Sequence, residues 1–287
     1  TPPVCVVEGT VGVGKTRLAV HLAHQLIAAG HCDEQLYVDL AGFSEQPCAD
    51  PYPVLGAFLA LLGVPAHQLP ADLDARAALY RDRLVGRRTV VLLDNAASAE
   101  QVLPLLPGGM DNVVLVTSRR TLALDGAQVL PLAEFSAADA QRLLVRTLGV
   151  GRVAGERDAA ARLVELCDRL PLALSLVARR LCARPSWRLS ELVDRVERAP
   201  DRLCELAAGS GQLRARFDLS YRALGEAERH LLQRLGRHGA EQFTLGTAAA
   251  LTGLAPPAAR RLLDRLVDEH LLVMLGGDTY RLPSLLG

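Results

Sequence analysis

Val4-Cys5-Val6-Val7, followed after Glu8 by Gly9-Thr10-Val11-Gly12-Val13-Gly14-Lys15-Thr16, decides the fold of this chain. A short β-branched run reads as a buried strand. The octapeptide after it fits G-x-x-x-x-G-K-[ST], the pattern of a P-loop whose backbone N–H groups cradle phosphates. Thr16 to Ala29 then sets Leu18, Leu22 and Leu26 on one helical face, with Gly30 as the stop. Strand, glycine loop and helix in that order are the context such a loop needs. Lys15 is also the single lysine among 32 basic residues, the rest being arginine. A compact ammonium on a slim stem enters a tight phosphate loop where a planar guanidinium does not.

Outward from this stretch, short apolar strands alternate with helices as far as about Leu132. The strands read as Leu36–Leu40, Val90–Asp94, Val113–Thr117 and Gln128–Leu130, and the helices fall near 54–62, 73–85 and 99–106. That rhythm predicts an α/β fold, a parallel sheet with helices on both faces. Between Leu132 and residue 208 only helices are expected, beginning at the capping box Ser136-Ala137-Ala138-Asp139, with further helices near 157–168, 172–183 and 190–198. Gly209-Ser210-Gly211 reads as a linker. Beyond it a helix near 245–252, a Pro-started helix at 257–270 and a hairpin around Gly276-Gly277-Asp278 predict a winged helix-turn-helix. The expected domains are therefore a nucleotide-binding domain over 1–133, a small helical bundle domain over 134–208 and a winged-helix domain over 209–287.

Composition narrows the function. With 32 basic and 32 acidic residues in 287, the chain is neutral, which argues against coating nucleic acid by bulk charge. Its six cysteines show neither C-x-x-C nor zinc spacing, so reduced core thiols in a cytoplasmic protein are expected. No stretch approaches a membrane span, and no signal peptide is recognisable. The chain opens on Thr1 and enters a strand at once, which reads as a piece of something longer.

The loop residues Gly9, Thr10, Val11, Gly12, Val13, Gly14, Lys15, Thr16 and Arg17 are the expected nucleotide-binding set. Lys15 would reach the β- and γ-phosphates, and the Thr16 hydroxyl would ligate Mg²⁺. Asp94 ends an apolar run, where its carboxylate emerges at the ligand edge of the sheet and would serve the same Mg²⁺; alone, such an Asp is as often a helix cap. Asn95 follows it and cannot act as a base, so hydrolysis should be slow. Arg119 ends another core strand and is placed to sense a γ-phosphate, with Arg120 as its rival and a plain surface arginine as the bland alternative. Pro171 in Leu170-Pro171-Leu172-Ala173 reads, by local chemistry, as the first-turn proline of a helix. His21 and His24 lack a third ligand and read as a helix face. Arg260, Arg261 and Arg265 could read DNA, but Asp264, Asp268 and Glu269 share their helix, and a mixed-charge surface explains them as well.

Taken together, Gln35–Leu40, Pro70–Arg76, Val91–Ala96, Arg169–Leu174 and Leu219–Leu224 resemble the NB-ARC branch of the STAND ATPases. Within it they resemble the AfsR type of Streptomyces antibiotic regulatory protein (SARP), over nearly the whole chain. The resemblance implies an ATP/ADP switch controlling a transcriptional activator of antibiotic biosynthesis. It implies that Pro171 contacts adenine or ribose, that Arg119 senses the γ-phosphate, and that the ATP-bound form makes a homo-oligomer. DNA would be met only through other domains of a longer protein. The sequence departs from the family in three ways. The chain starts too late to carry the adenine-contacting segment expected ahead of the first strand, and Asn95 stands for the second acid. A His-Asp pair whose His touches the ADP β-phosphate is replaced by Pro283 and Ser284, and Pro has no N–H to donate. The alternatives are a steadily turning over P-loop ATPase and a winged-helix DNA-binding module gated by nucleotide.

Overall fold

Five strands, β1 (Val4–Glu8), β2 (Glu34–Asp39), β3 (Thr89–Ala96), β4 (Val113–Ser118) and β5 (Gln128–Pro131), pair in parallel in the order β2-β3-β4-β1-β5. The computed structural model describes residues 2–199, 201–206 and 212–286. Strand β3 is buried at seven of its eight positions because both sheet faces are covered. Val91 and Leu93 point into one core, with Val114 and Val116 of β4 and with Leu55, Phe58 and Tyr80. Val90 and Leu92 point into the other, with Leu115, Ala19 and Ala23. The period of two that sends alternate side chains to opposite faces thus builds both layers from one apolar run. Helix α1 (Lys15–Ala28) covers one face; α2 (Pro51–Leu61) and α3 (Leu73–Arg83) cover the other, and α4 (Ala99–Val102) follows β3.

Local chemistry starts these helices. Asp50 accepts from the Tyr52 N–H ahead of α2, whose first residue is Pro51, and Asp72 accepts from the Ala75 N–H ahead of α3. Helix α4 is shorter than the sequence suggested: Pro104 follows at once in a 3₁₀ turn, Leu103–Leu105.

Two compact units result, one of Thr1–Gly9 with Lys15–Leu132, the other of Thr10–Gly14 with Ala133–Gly287. The second unit holds α5 (Ala137–Leu148), α6 (Val150–Ala154), α7 (Arg157–Leu166), α8 (Pro171–Cys182), α9 (Leu189–Arg198), α10 (Arg202–Leu206), α11 (Gln212–Arg222), α12 (Glu226–His238), α13 (Leu245–Thr252) and α14 (Pro256–Asp268). Helices α6 and α10 were not anticipated; each has only five residues, too few to show a period. Strands β6 (Gln242–Thr244), β7 (Val273–Gly276) and β8 (Thr279–Arg281) form an antiparallel sheet in the order β6-β8-β7. The hairpin was expected and its third strand was not, since only Phe243 of β6 is buried. Helices α12 to α14 and this sheet follow one another as in a winged helix-turn-helix. The Gly209-Ser210-Gly211 linker lies outside the described residues.

Candidate functional site

Every strand of a parallel sheet ends on one edge, and Gly9, Asp94 and Ser118 mark that edge at the ends of β1, β3 and β4. Asp94 is 5% exposed and accepts from the Thr16 hydroxyl at 2.8 and 3.1 Å. The Thr117 hydroxyl donates to the same carboxylate at 2.5 Å, while its oxygen accepts from the Asn95 N–H at 2.9 Å. Residues 78 apart in sequence thus meet as a hydroxyl and a carboxylate. Both are hard oxygen donors. Two such protein oxygens suit Mg²⁺, which draws its remaining ligands from water and phosphates.

Lys15 is 9% exposed, and its ammonium donates to the Gly9 carbonyl at 2.7 Å. Gly9, Gly12 and Gly14 hold φ of 148°, 80° and 107°, conformations that side-chain-bearing residues rarely take. Val11 and Val13 are buried, Thr10 is half-buried, and Arg17 is exposed. In the second unit the Leu172 N–H donates to the Gly12 carbonyl at 3.1 Å, one residue beyond Pro171, the first residue of α8. A Cβ on Gly12 would stand 3.2 Å from Leu172 Cβ.

Asn95 has a local reason to be asparagine. Its φ is +60°, where the register of β3 against β4 shifts, and Asn tolerates this left-handed region. Its amide donates to Asp39 at 3.3 Å, and its carbonyl accepts from Gly42. The Tyr37 phenol is pushed up by burial first and then by the negative charge of Asp94 and Asp39.

The arginines after β4 are both half-buried, their guanidiniums 5.1 Å (Arg119) and 5.2 Å (Arg120) from the Phe43 ring centre. Arg120 also donates to the Ala97 carbonyl. One residue of this edge escaped the sequence reading. Glu8 is 3% exposed and accepts from the Leu122 N–H at 2.7 Å, tying the segment after Arg119 to β1. A lone acid at the end of an apolar strand was its only sequence signal.

Other candidates lie elsewhere. His21 and His24 are exposed, and among the described residues no three metal-binding side chains gather. On α14 Arg260 pairs with Asp278 and Arg265 with Glu228, while Arg261 is exposed. The Ser284 hydroxyl donates to Asp168 at 2.7 Å and the Leu285 N–H does so at 2.8 Å. Burial pushes the Asp168 carboxyl up, against these hydrogen bonds, which pull it down. The cysteines correct one expectation: Cys32 and Cys167 are buried and Cys5 is half-buried, but Cys48, Cys182 and Cys204 are exposed. No helix among the described residues is long and apolar enough to cross a membrane.

Comparison with known proteins gives close relatives. The chain is 44% identical over 284 residues to the regulatory protein AfsR of Streptomyces griseus, covering 98% of the chain and 29% of the relative. It is 43% identical over 283 residues to AfsR of Streptomyces coelicolor, covering 98% of the chain and 28% of the relative. It therefore spans less than a third of the length of the relatives it matches. No protein-family model matches. Among solved structures, the RuvB Holliday junction branch migration motor of Thermotoga maritima aligns over 98% of this chain and 84% of its own, at 14% identity and a TM-score of 0.37. The fold assignment rests on the strand order above.

Proposed function

Over the segment it shares with them the chain belongs to the AfsR family of regulatory proteins, and on that footing we propose that it is an ATP- and ADP-binding switch within a transcriptional regulator. The observation that carries this reading is the meeting of Thr16 and Asp94 at the end of the glycine loop. In this proposal Gly9 to Arg17 cradle the phosphates, Lys15 leaves the Gly9 carbonyl for them, and Thr16 and Asp94 hold Mg²⁺. The bound ion would neutralise charge on the β- and γ-phosphates. Arg119 senses the γ-phosphate, and Pro171 meets the adenine or ribose.

The output is a change of conformation, with hydrolysis slow at best. Asn95 stands next to Asp94 and cannot take a proton from water. Its left-handed backbone and its bond to Asp39 give it a structural duty. ATP binding would promote a homo-oligomer. Control of antibiotic biosynthesis and contact with DNA would belong to the longer protein, because α14 carries paired charges and no basic stripe. Steady-state and single-turnover ATP hydrolysis test the switch. It requires sustained turnover far below about 1 s⁻¹, the low end of ordinary enzymes; turnover at or above about 1 s⁻¹ would make the chain a working ATPase.

A further inference from the structure

A cavity of about 560 Å³ lies wholly within the second unit, and none of the residues proposed to hold the nucleotide lines it. Four arginines line it from four separate places: Arg162 on α7, Arg169 after α7, Arg202 at the start of α10 and Arg281 on β8. Two of the carboxylates on its wall already have partners there. Asp168 accepts from Ser284 and Leu285, and Glu165 pairs with Arg162, which also holds Glu197 at 2.6 Å. Arg281 has Glu134 at 3.7 Å. Arg169 and Arg202 have no ion-pair partner among the described residues, and Glu241 is the remaining acid of the wall.

The backbone adds a second observation. Asp168 and Arg169 sit consecutively at φ of 48° and 54°, a left-handed conformation costly to a side-chain-bearing residue. Such conformations persist where the surroundings impose them, commonly at ligand sites. Here the left-handed pair lies on the cavity wall that carries Arg169.

We propose that this cavity binds a small phosphorylated molecule, held by Arg169 and Arg202 with Arg162 and Arg281 beside them. The volume falls within the roughly 300–1,000 Å³ of small-molecule sites. A planar carboxylate is satisfied by one guanidinium fork, whereas a tetrahedral phosphate offers oxygens in several directions to forks from different elements. Unpaired arginines converging from separate elements suit the second geometry. The site stands on its own residues and does not depend on the nucleotide proposal.

The test is calorimetric titration of the 287-residue chain with inorganic pyrophosphate and, separately, with citrate. Lys15→Ala removes the loop lysine, and pyrophosphate binding to the cavity is expected to survive in that variant. In the same background, Arg169→Gln with Arg202→Gln should weaken binding at least tenfold. Glu241→Gln keeps both arginines, removes a wall charge and should tighten it severalfold. That variant decides the matter alone if the double variant does not fold. Absence of binding in Lys15→Ala overturns the proposal. So does indifference to both cavity changes, or citrate bound more tightly than pyrophosphate.

Discussion

Thr16 is the residue on which the account of the metal turns. Its hydroxyl is held by a buried carboxylate that also takes a hydrogen bond from Thr117, so the two oxygens proposed for Mg²⁺ are already oriented. Thr16→Ser keeps the hydroxyl and should keep the Mg²⁺ dependence of ATP affinity. Thr16→Ala should abolish that dependence while leaving some metal-free affinity, as read by nucleotide titration with and without Mg²⁺; an unchanged dependence in the alanine variant contradicts the assignment. The loop pattern singled out Thr16, and the acid at the end of an apolar run singled out Asp94, with a helix cap as its rival. The sequence hid the reasons for their neighbours. Asn95 reads from sequence as a missing base, and only its backbone explains the choice of asparagine. Glu8 reads as a strand end, and only the fold brings Leu122 to it.

Elements carry the site through close approach. A Cβ on Gly42 would come within 2.5 Å of the Ala97 nitrogen and the Asn95 carbonyl oxygen, both backbone atoms that cannot give way cheaply. Gly42→Ala should therefore cost about 1–3 kcal/mol or more, the range of overpacked cores. Thermal melting checks this, and a melting point unchanged within about a degree contradicts it. In the second unit, Asp168 closes onto the turn at Ser284–Leu286. Its folded pKa is raised by burial, so the native state holds the proton more tightly than the unfolded chain. Stability from this group is then full at low pH and declines as pH rises. Relative to Asp168→Asn, the wild-type chain should lose stability in urea unfolding as pH rises from about 4, the ordinary Asp value; a gain over that interval refutes it. The sequence stretch Pro70–Arg76 drew notice by resemblance, and the fold supplies its physics. Asp72 caps α3, and Arg76 is buried, donating to the carbonyls of Pro70 and Tyr52 and lying 3.6 Å above the Tyr52 ring.

At the scale of the molecule, the sheet was readable because long apolar runs such as Val90–Leu93 admit one arrangement when covered on both faces. Short elements were not: α6, α10 and β6 have five, five and three residues and gain their form from tertiary packing. The grouping of Thr10–Gly14 with the second unit was equally hidden, and there the Leu172 N–H donates to the Gly12 carbonyl. That bond joins the proposed phosphate loop to the helix begun by Pro171, and nucleotide binding is the claim on which the proposed switch depends. The direct measurement is titration of the chain with ATP and with ADP in Mg²⁺, beside Lys15→Ala. Binding through the loop lysine gives saturable titrations with both nucleotides that fall at least tenfold in the variant. Equal affinity of the two proteins, or no binding by either, would contradict it.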